Sequence, residues 1–111
     1  MSNTPLTHQH CVPCEGGVEP LKRAEFAIYL EDLKDWQVIN DEKTIQKDFS
    51  FKNFTQVIEF VNKVADIAES EGHHPDINLH NYKNVLITLS THAIKGLSEN
   101  DFILASKIDL L

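Results

Sequence analysis

The sequence predicts a two-layer α+β domain: a four-stranded antiparallel sheet with three helices on one face, in the order α-β-β-α-β-β-α. Three observations carry this. Stretches with apolar residues at helical spacing alternate with pairs of short stretches of strand character. Each pair is joined by a polar connection too short for a crossover, so its strands must run antiparallel. Along residues 85–92, Val85, Ile87 and Leu89 point one way while Leu86, Thr88, Ser90 and His92 point the other. One face is apolar and suits helix packing; the opposite face is mixed.

Pro20 suits a first helical turn, where its missing N–H costs nothing. Leu21, Ala24, Phe26, Ile28, Tyr29, Leu30 and Leu33 follow at helical spacing and predict a helix over about residues 20–34. Residues 36–39 and 44–49 read as two strands around a polar turn at Asn40-Asp41-Glu42. Asn53, with Gln56 three residues on, caps a helix over about 54–70, ending near Gly72. Its apolar face is read as Phe54, Val57, Ile58, Val61, Val64, Ala65 and Ala68. Two more strands, about 77–82 and 85–91, are joined at Lys83-Asn84. The last helix runs from Ser98 to about Leu110, with a Ser98/Asp101 capping box and a Leu97/Phe102 staple.

A chain of 111 residues fits one domain and buries enough surface to fold without disulfides or metals. Residues 1–19 are expected to be a flexible leader, outside the folded unit and dispensable to it; residues 20–111 form the domain. The net charge of -7, with ten scattered Lys and Arg, disfavours nucleic acid and anionic membranes as partners. No basic-then-apolar segment opens the chain and no apolar run is long enough to span a bilayer. A cytoplasmic protein with reduced cysteines is expected.

Chemistry concentrates in histidines. His73 and His74 adjoin just past the long helix, and Pro75 restricts His74 to extended geometry. His92 ends the last strand, and the intervening hairpin can return it to their neighbourhood. Imidazole both gives and takes protons near neutral pH, so three convergent histidines are acid/base candidates. Singly, each is as readily a solvated surface residue. Asp101 can cap its helix or orient a histidine; Glu69 lies on the last turn of the long helix.

Glu69, His73-His74-Pro75, Tyr82-x-x-Val85, Ile87-Thr88-Leu89-Ser90-Thr91-His92 and Gly96-Leu97-Ser98-x-x-Asp101 together resemble the signature of the pterin-4a-carbinolamine dehydratases. The Trp36 strand and Phe49-x-Phe51-x-x-Phe54 also match, and the resemblance covers residues 20–111. The interval from His74 to His92 is one residue longer than in animal members, the extra residue being expected near His80 and Asn81; His80 is left out of the site.

The resemblance implies a hydro-lyase that converts 4a-hydroxytetrahydropterin to quinonoid dihydropterin and water, recycling the pterin of an aromatic amino acid hydroxylase. It implies His73 and His92 as acid/base groups, His74 as the residue holding the ring, and Asp101 and Glu69 as orienters. It implies no metal or organic cofactor, and a homodimer or homotetramer paired through its sheets. The rival within the same fold is a non-enzymatic assembly or dimerisation factor, which has no need of three clustered histidines. A further rival is a metal-binding regulator using His8, His10, Cys11 and Cys14; a single Cys-x-x-Cys without a second pair is a weak zinc signal.

Overall fold

The computed structural model describes residues 5–12 and 18–111. The elements are α1 (Arg23–Glu31), β1 (Gln37–Ile39), β2 (Thr44–Ser50), α2 (Phe54–Glu71), β3 (Asp76–His80), β4 (Asn84–Leu89) and α3 (Glu99–Ile108). Two 3-10 turns, Leu6–His8 and His92–Ile94, stand outside that order. The sheet is antiparallel throughout, in the order β1-β2-β4-β3. The α+β architecture expected from the periodicities is the one observed.

Register fixes which face each side chain takes. Ile45 opposes Leu89, Phe49 opposes Val85, and Ile77 and Leu79 on β3 oppose Ile87 and Val85. These residues share one face. Ile45, Val85, Ile87 and Leu89 are fully buried there among Phe26, Val57, Val64 and Phe102 from the helices. The other face carries Gln46, Asp48, Leu86, Thr88, Asn78 and His80. His80 pairs across it with Asp48 at 3.0 Å, away from the other histidines.

Helix α1 begins later than Pro20 and ends before residue 34. The N–H of Leu21 donates to the Leu97 carbonyl at 2.8 Å, so residues 20–21 run extended against the chain entering α3. Pro20 presses on Gly96 so closely that a Cβ there would lie 2.5 Å from the proline ring. The helix starts only where the Lys22 N–H can take the Glu25 carboxylate, at 3.0 Å. Phe26 is its buried anchor, stacked on Phe102 at 5.5 Å, while Ile28 points to solvent.

Helix α2 is capped as expected: Asn53 Oδ1 accepts from the Gln56 N–H at 2.9 Å, and the helix closes on Gly72 at φ 66. Its buried stripe is Val57, Phe60, Val64 and Ala68. Phe54, Ile58 and Ala65 lie outside that stripe, exposed. Phe49 and Phe51 stack on Phe60 at 4.8 and 4.9 Å, and this aromatic cluster fixes which side of the helix turns inward.

The second hairpin turns at Asn81-Tyr82-Lys83 rather than at Lys83-Asn84. Pairing is unbroken from Asp76–Thr88 to His80–Asn84. A three-residue connection therefore accommodates the longer interval, with Asn81 and Tyr82 at φ 50 and 53. At the far corner, Asp109 accepts from the Trp36 indole at 3.0 Å and from Lys47 Nζ at 2.9 Å, tying the end of α3 to β1 and β2.

The described part of the leader is packed. Leu6 is 5% exposed and belongs to the core, and residues 10–12 hydrogen-bond to Glu71 and Asn100. Composition gave no hint of this, because a strap held by side chains and backbone groups needs no apolar periodicity of its own. Cys14 lies outside the described residues.

Candidate active site

The end of α2 sets the first two histidines. Gly72 adopts the left-handed conformation that glycine tolerates, and the His73 N–H returns to the Ala68 carbonyl at 3.2 Å. His73 therefore turns inward, its side chain 11% exposed, while His74 stays 62% exposed. Beyond β4 the chain closes a small loop: Thr91 and Gly96 bridge, with the Thr91 N–H donating to the Gly96 carbonyl at 2.8 Å. This loop carries exposed His92 at the head of its 3-10 turn and buries Ile94 beneath. Ser98 then starts α3 and places Asp101 in the first turn.

Asp101 both caps α3 and contacts His73. It is fully buried. Its Oδ1 pairs with His73 Nε2 at 2.6 Å. Its Oδ2 accepts from the Ser98 N–H at 3.0 Å and from Thr91 Oγ1 at 2.8 Å. A carboxylate on Nε2 fixes that nitrogen as the protonated one and leaves Nδ1 to accept a proton, with a negative charge ready to stabilise the imidazolium. Glu69 stands differently: its Oε1 lies 3.5 Å from His74 Nε2, and both side chains are mostly in water, so the pair is weak.

His73, His74 and His92 line one cleft of about 250 Å³, with Val12, Gly72, Ser90, Thr91, Ala93 and Asn100. All three come from the same chain. A larger cavity of about 630 Å³ shares Val12 and Asn100 with this cleft. Its lining is more apolar, holds none of these three histidines, and carries Val12 and Val18, which flank the undescribed residues 13–17. The chemistry therefore places the candidate site in the smaller cleft. Among the described residues, no group of three or more His, Cys, Asp or Glu side chains is arranged to hold a metal ion.

Sequence reasoning passed over four residues at this site. Thr91 stood inside the recognised motif but had no role assigned; it is 5% exposed and donates to Asp101. Glu71, two residues before His73, had no role assigned. Its side chain is 4% exposed and gathers Lys107 Nζ at 2.7 Å, the Cys11 N–H at 2.7 Å and the His10 ring at 3.0 Å. Val12 and Asn100 face the cleft and each other, and only the folded leader reveals them.

Burial pushes the Glu71 carboxyl up, but hydrogen bonds from Lys107, the Cys11 N–H and His10, with the Lys107 charge, outweigh it and hold the pKa at about 2. A carboxyl depressed in the folded state stabilises above its unfolded value of 4.5, and that contribution is lost as pH falls toward 2. Acid titration is expected to loosen residues 10–12 across that window. Amide exchange at Cys11 and Val12 measures it; protection that is flat from pH 5 to about 2 would contradict the pairing.

Comparison with known proteins bears on this cleft. Residues 19–111 match the family model described as pterin 4 alpha carbinolamine dehydratase. A relative from Halorhodospira halophila is 45% identical over 106 residues, covering 96% of each chain. One from Nitrosospira multiformis is 48% identical, covering 96% of this chain and 91% of its own. Both carry the name pterin-4-alpha-carbinolamine dehydratase provisionally. A crystal structure of a transcriptional coactivator/pterin dehydratase from Brucella melitensis is 32% identical with a TM-score of 0.76, covering 83% of this chain and 97% of that one. A pterin dehydratase-like protein identified as a RuBisCO assembly factor in the alpha-carboxysome is 25% identical, with a TM-score of 0.60 over 71% of this chain and 90% of its own. With a family model matched from residue 19 to residue 111 and relatives near 45% identity along almost the whole length, the chain belongs to the pterin 4 alpha carbinolamine dehydratase family.

Proposed function

We propose that this protein is a working hydro-lyase that dehydrates 4a-hydroxytetrahydropterin to quinonoid dihydropterin, recycling the pterin of an aromatic amino acid hydroxylase in the cytoplasm. The observation that carries this reading is the convergence of His73, His74 and His92 on one cleft, with His73 held by buried Asp101. Loss of water needs one proton delivered to the 4a-hydroxyl and one taken from N5. The C4a–O bond then breaks as the nitrogen lone pair forms the C=N bond. Protons balance, and no oxidant or reductant is consumed. His73, with Asp101 on Nε2, is the base for N5–H. His92, exposed on its turn, is the acid over the hydroxyl. His74 holds the ring edge, with Glu69 beside it at 3.5 Å. The reading is tested by following quinonoid dihydropterin as it forms from enzymatically generated carbinolamine, with and without the protein.

A second reading has one observation in its favour, the structural likeness to an assembly factor. A purely structural factor has no need of three imidazoles converging on one cleft, so the enzymatic reading is preferred.

The same proposal includes a homodimer or homotetramer. Among the described residues, the sheet leaves one face uncovered, with Leu86 among Thr88, Asp48 and Gln46, and ends in two open edges at β1 and β3. An open edge strand is a template for pairing, and two-fold dimers are the commonest closed solution. Light scattering at micromolar concentration is expected to give at least twice the chain mass; a single species at 12.6 kDa would refute it.

A further inference from the structure

We propose that the segment Gln9–Val12 is a positioning strap for the histidine cleft, with Glu71 and Asn100 as its two anchors and Val12 as a wall of the site. The inference rests on the dehydratase reading of that cleft and extends it to a segment that lies before the matched family model, which begins at residue 19.

The geometry is a closed circuit. The strap reaches α2 at its last residue: the Cys11 N–H and the His10 ring both contact the Glu71 carboxylate, at 2.7 and 3.0 Å. It reaches α3 at its second residue. The Val12 N–H donates to Asn100 Oδ1 at 3.0 Å, and Asn100 Nδ2 donates back to the Val12 carbonyl at 2.6 Å. His73 lies two residues beyond the first anchor, and Asp101 lies one residue beyond the second. The His73–Asp101 contact at 2.6 Å closes the ring. Lys107 adds a direct tie from α3 to Glu71 at 2.7 Å.

Both anchors are buried enough to matter. Asn100 is 4% exposed, and so is the Glu71 side chain. A primary amide that both donates to and accepts from one backbone residue fixes it in two dimensions, as a strand pair does. A buried carboxylate with several donors is costly to leave half satisfied. The circuit therefore holds the spacing between α2 and α3, the spacing that sets how His73 meets Asp101. Leu6, buried in the core, moors the strap upstream. Val12 is 65% exposed, so its side chain contributes little to the core; what it does is border the cleft beside His73, His74 and His92.

The test uses the full chain with Val12→Ala and Asn100→Asp. Val12→Ala keeps every backbone contact and should melt as the wild type does. It is expected to raise KM for the carbinolamine about tenfold with kcat nearly unchanged, the low end of the scale for trimming carbons from a binding wall, since Val12 is largely exposed. Asn100→Asp removes the donor to the Val12 carbonyl; it should raise KM at least as much and lower kcat, because the diad loses its spacing. A second readout needs no turnover: the imidazole proton resonance of His73 should shift in Asn100→Asp. Folded variants with wild-type KM and an unmoved His73 resonance would overturn the strap. A wild type that does not dehydrate the carbinolamine, paired with a shifted His73 resonance in Asn100→Asp, would sink the dehydratase reading and leave the strap standing.

Discussion

Replacing both His73 and His92 by alanine is expected to bring dehydration down to the uncatalysed rate, while either single replacement leaves measurable activity. The chemistry asks for two proton transfers at different atoms of one ring, and a well-placed acid or base contributes about 10²–10⁴-fold. The two histidines reach the cleft from different elements: His73 from the turn after α2, His92 from the 3-10 turn after β4. Losing one leaves the other transfer assisted, so each single variant should fall by about 10²-fold. Losing both removes the machinery, and the effects should compound. His92 is exposed, so its loss should barely change the melting temperature. Steady-state turnover and thermal melts on the three variants check this. A double variant with wild-type turnover would end the assignment.

Asp101 carries the largest expected effect on the fold itself. It is fully buried and serves His73, Thr91 and the Ser98 N–H at once. Asp101→Ala strands all three partners in a dry site. Breaking such a buried arrangement costs about 3–5 kcal/mol, a large share of the roughly 5–15 kcal/mol that holds a domain together. Asp101→Asn separates the two jobs. Its oxygen can still accept from the Ser98 N–H and Thr91, but its amide puts a donor against His73 and removes the charge that stabilises imidazolium. Asp101→Asn is therefore expected to lower turnover by about 10²-fold, the loss of one working base, while its melting temperature falls far less than that of Asp101→Ala. A large melting shift with unchanged turnover would reduce Asp101 to a helix cap.

Where one residue's pattern sufficed, the sequence was readable. The order of elements followed from period alone, and the caps at Asn53 and Ser98 followed from residue type at fixed spacing. His73, His74 and His92 were legible because imidazoles in that order match a motif, and the structure sets them on one cleft. What was not legible depended on contacts between distant segments. The start of α1 is displaced by Pro20 meeting Gly96, 76 positions away in sequence, so no window around Pro20 could reveal it. The inward side of α2 was decided by Phe49 and Phe51 stacking on Phe60. Thr91 and Glu71 are ordinary polar residues until the fold buries them. Residues 5–12 look like a loose leader because their partners, Glu71 and Asn100, lie some 60 and 88 residues on.

The most direct test is stopped-flow observation of the carbinolamine itself. 4a-Hydroxytetrahydropterin is made in place by a pterin-dependent hydroxylase, and the absorbance of quinonoid dihydropterin is followed with wild-type protein, with the His73→Ala/His92→Ala variant, and with neither. The wild type is expected to accelerate the rise by about 10⁴-fold over the protein-free reaction, the product of two groups contributing about 10²-fold each, and the double variant to trace the protein-free curve. Three superimposable curves, from protein shown to be folded by its melting transition, would contradict the proposal that this cleft is a dehydratase site.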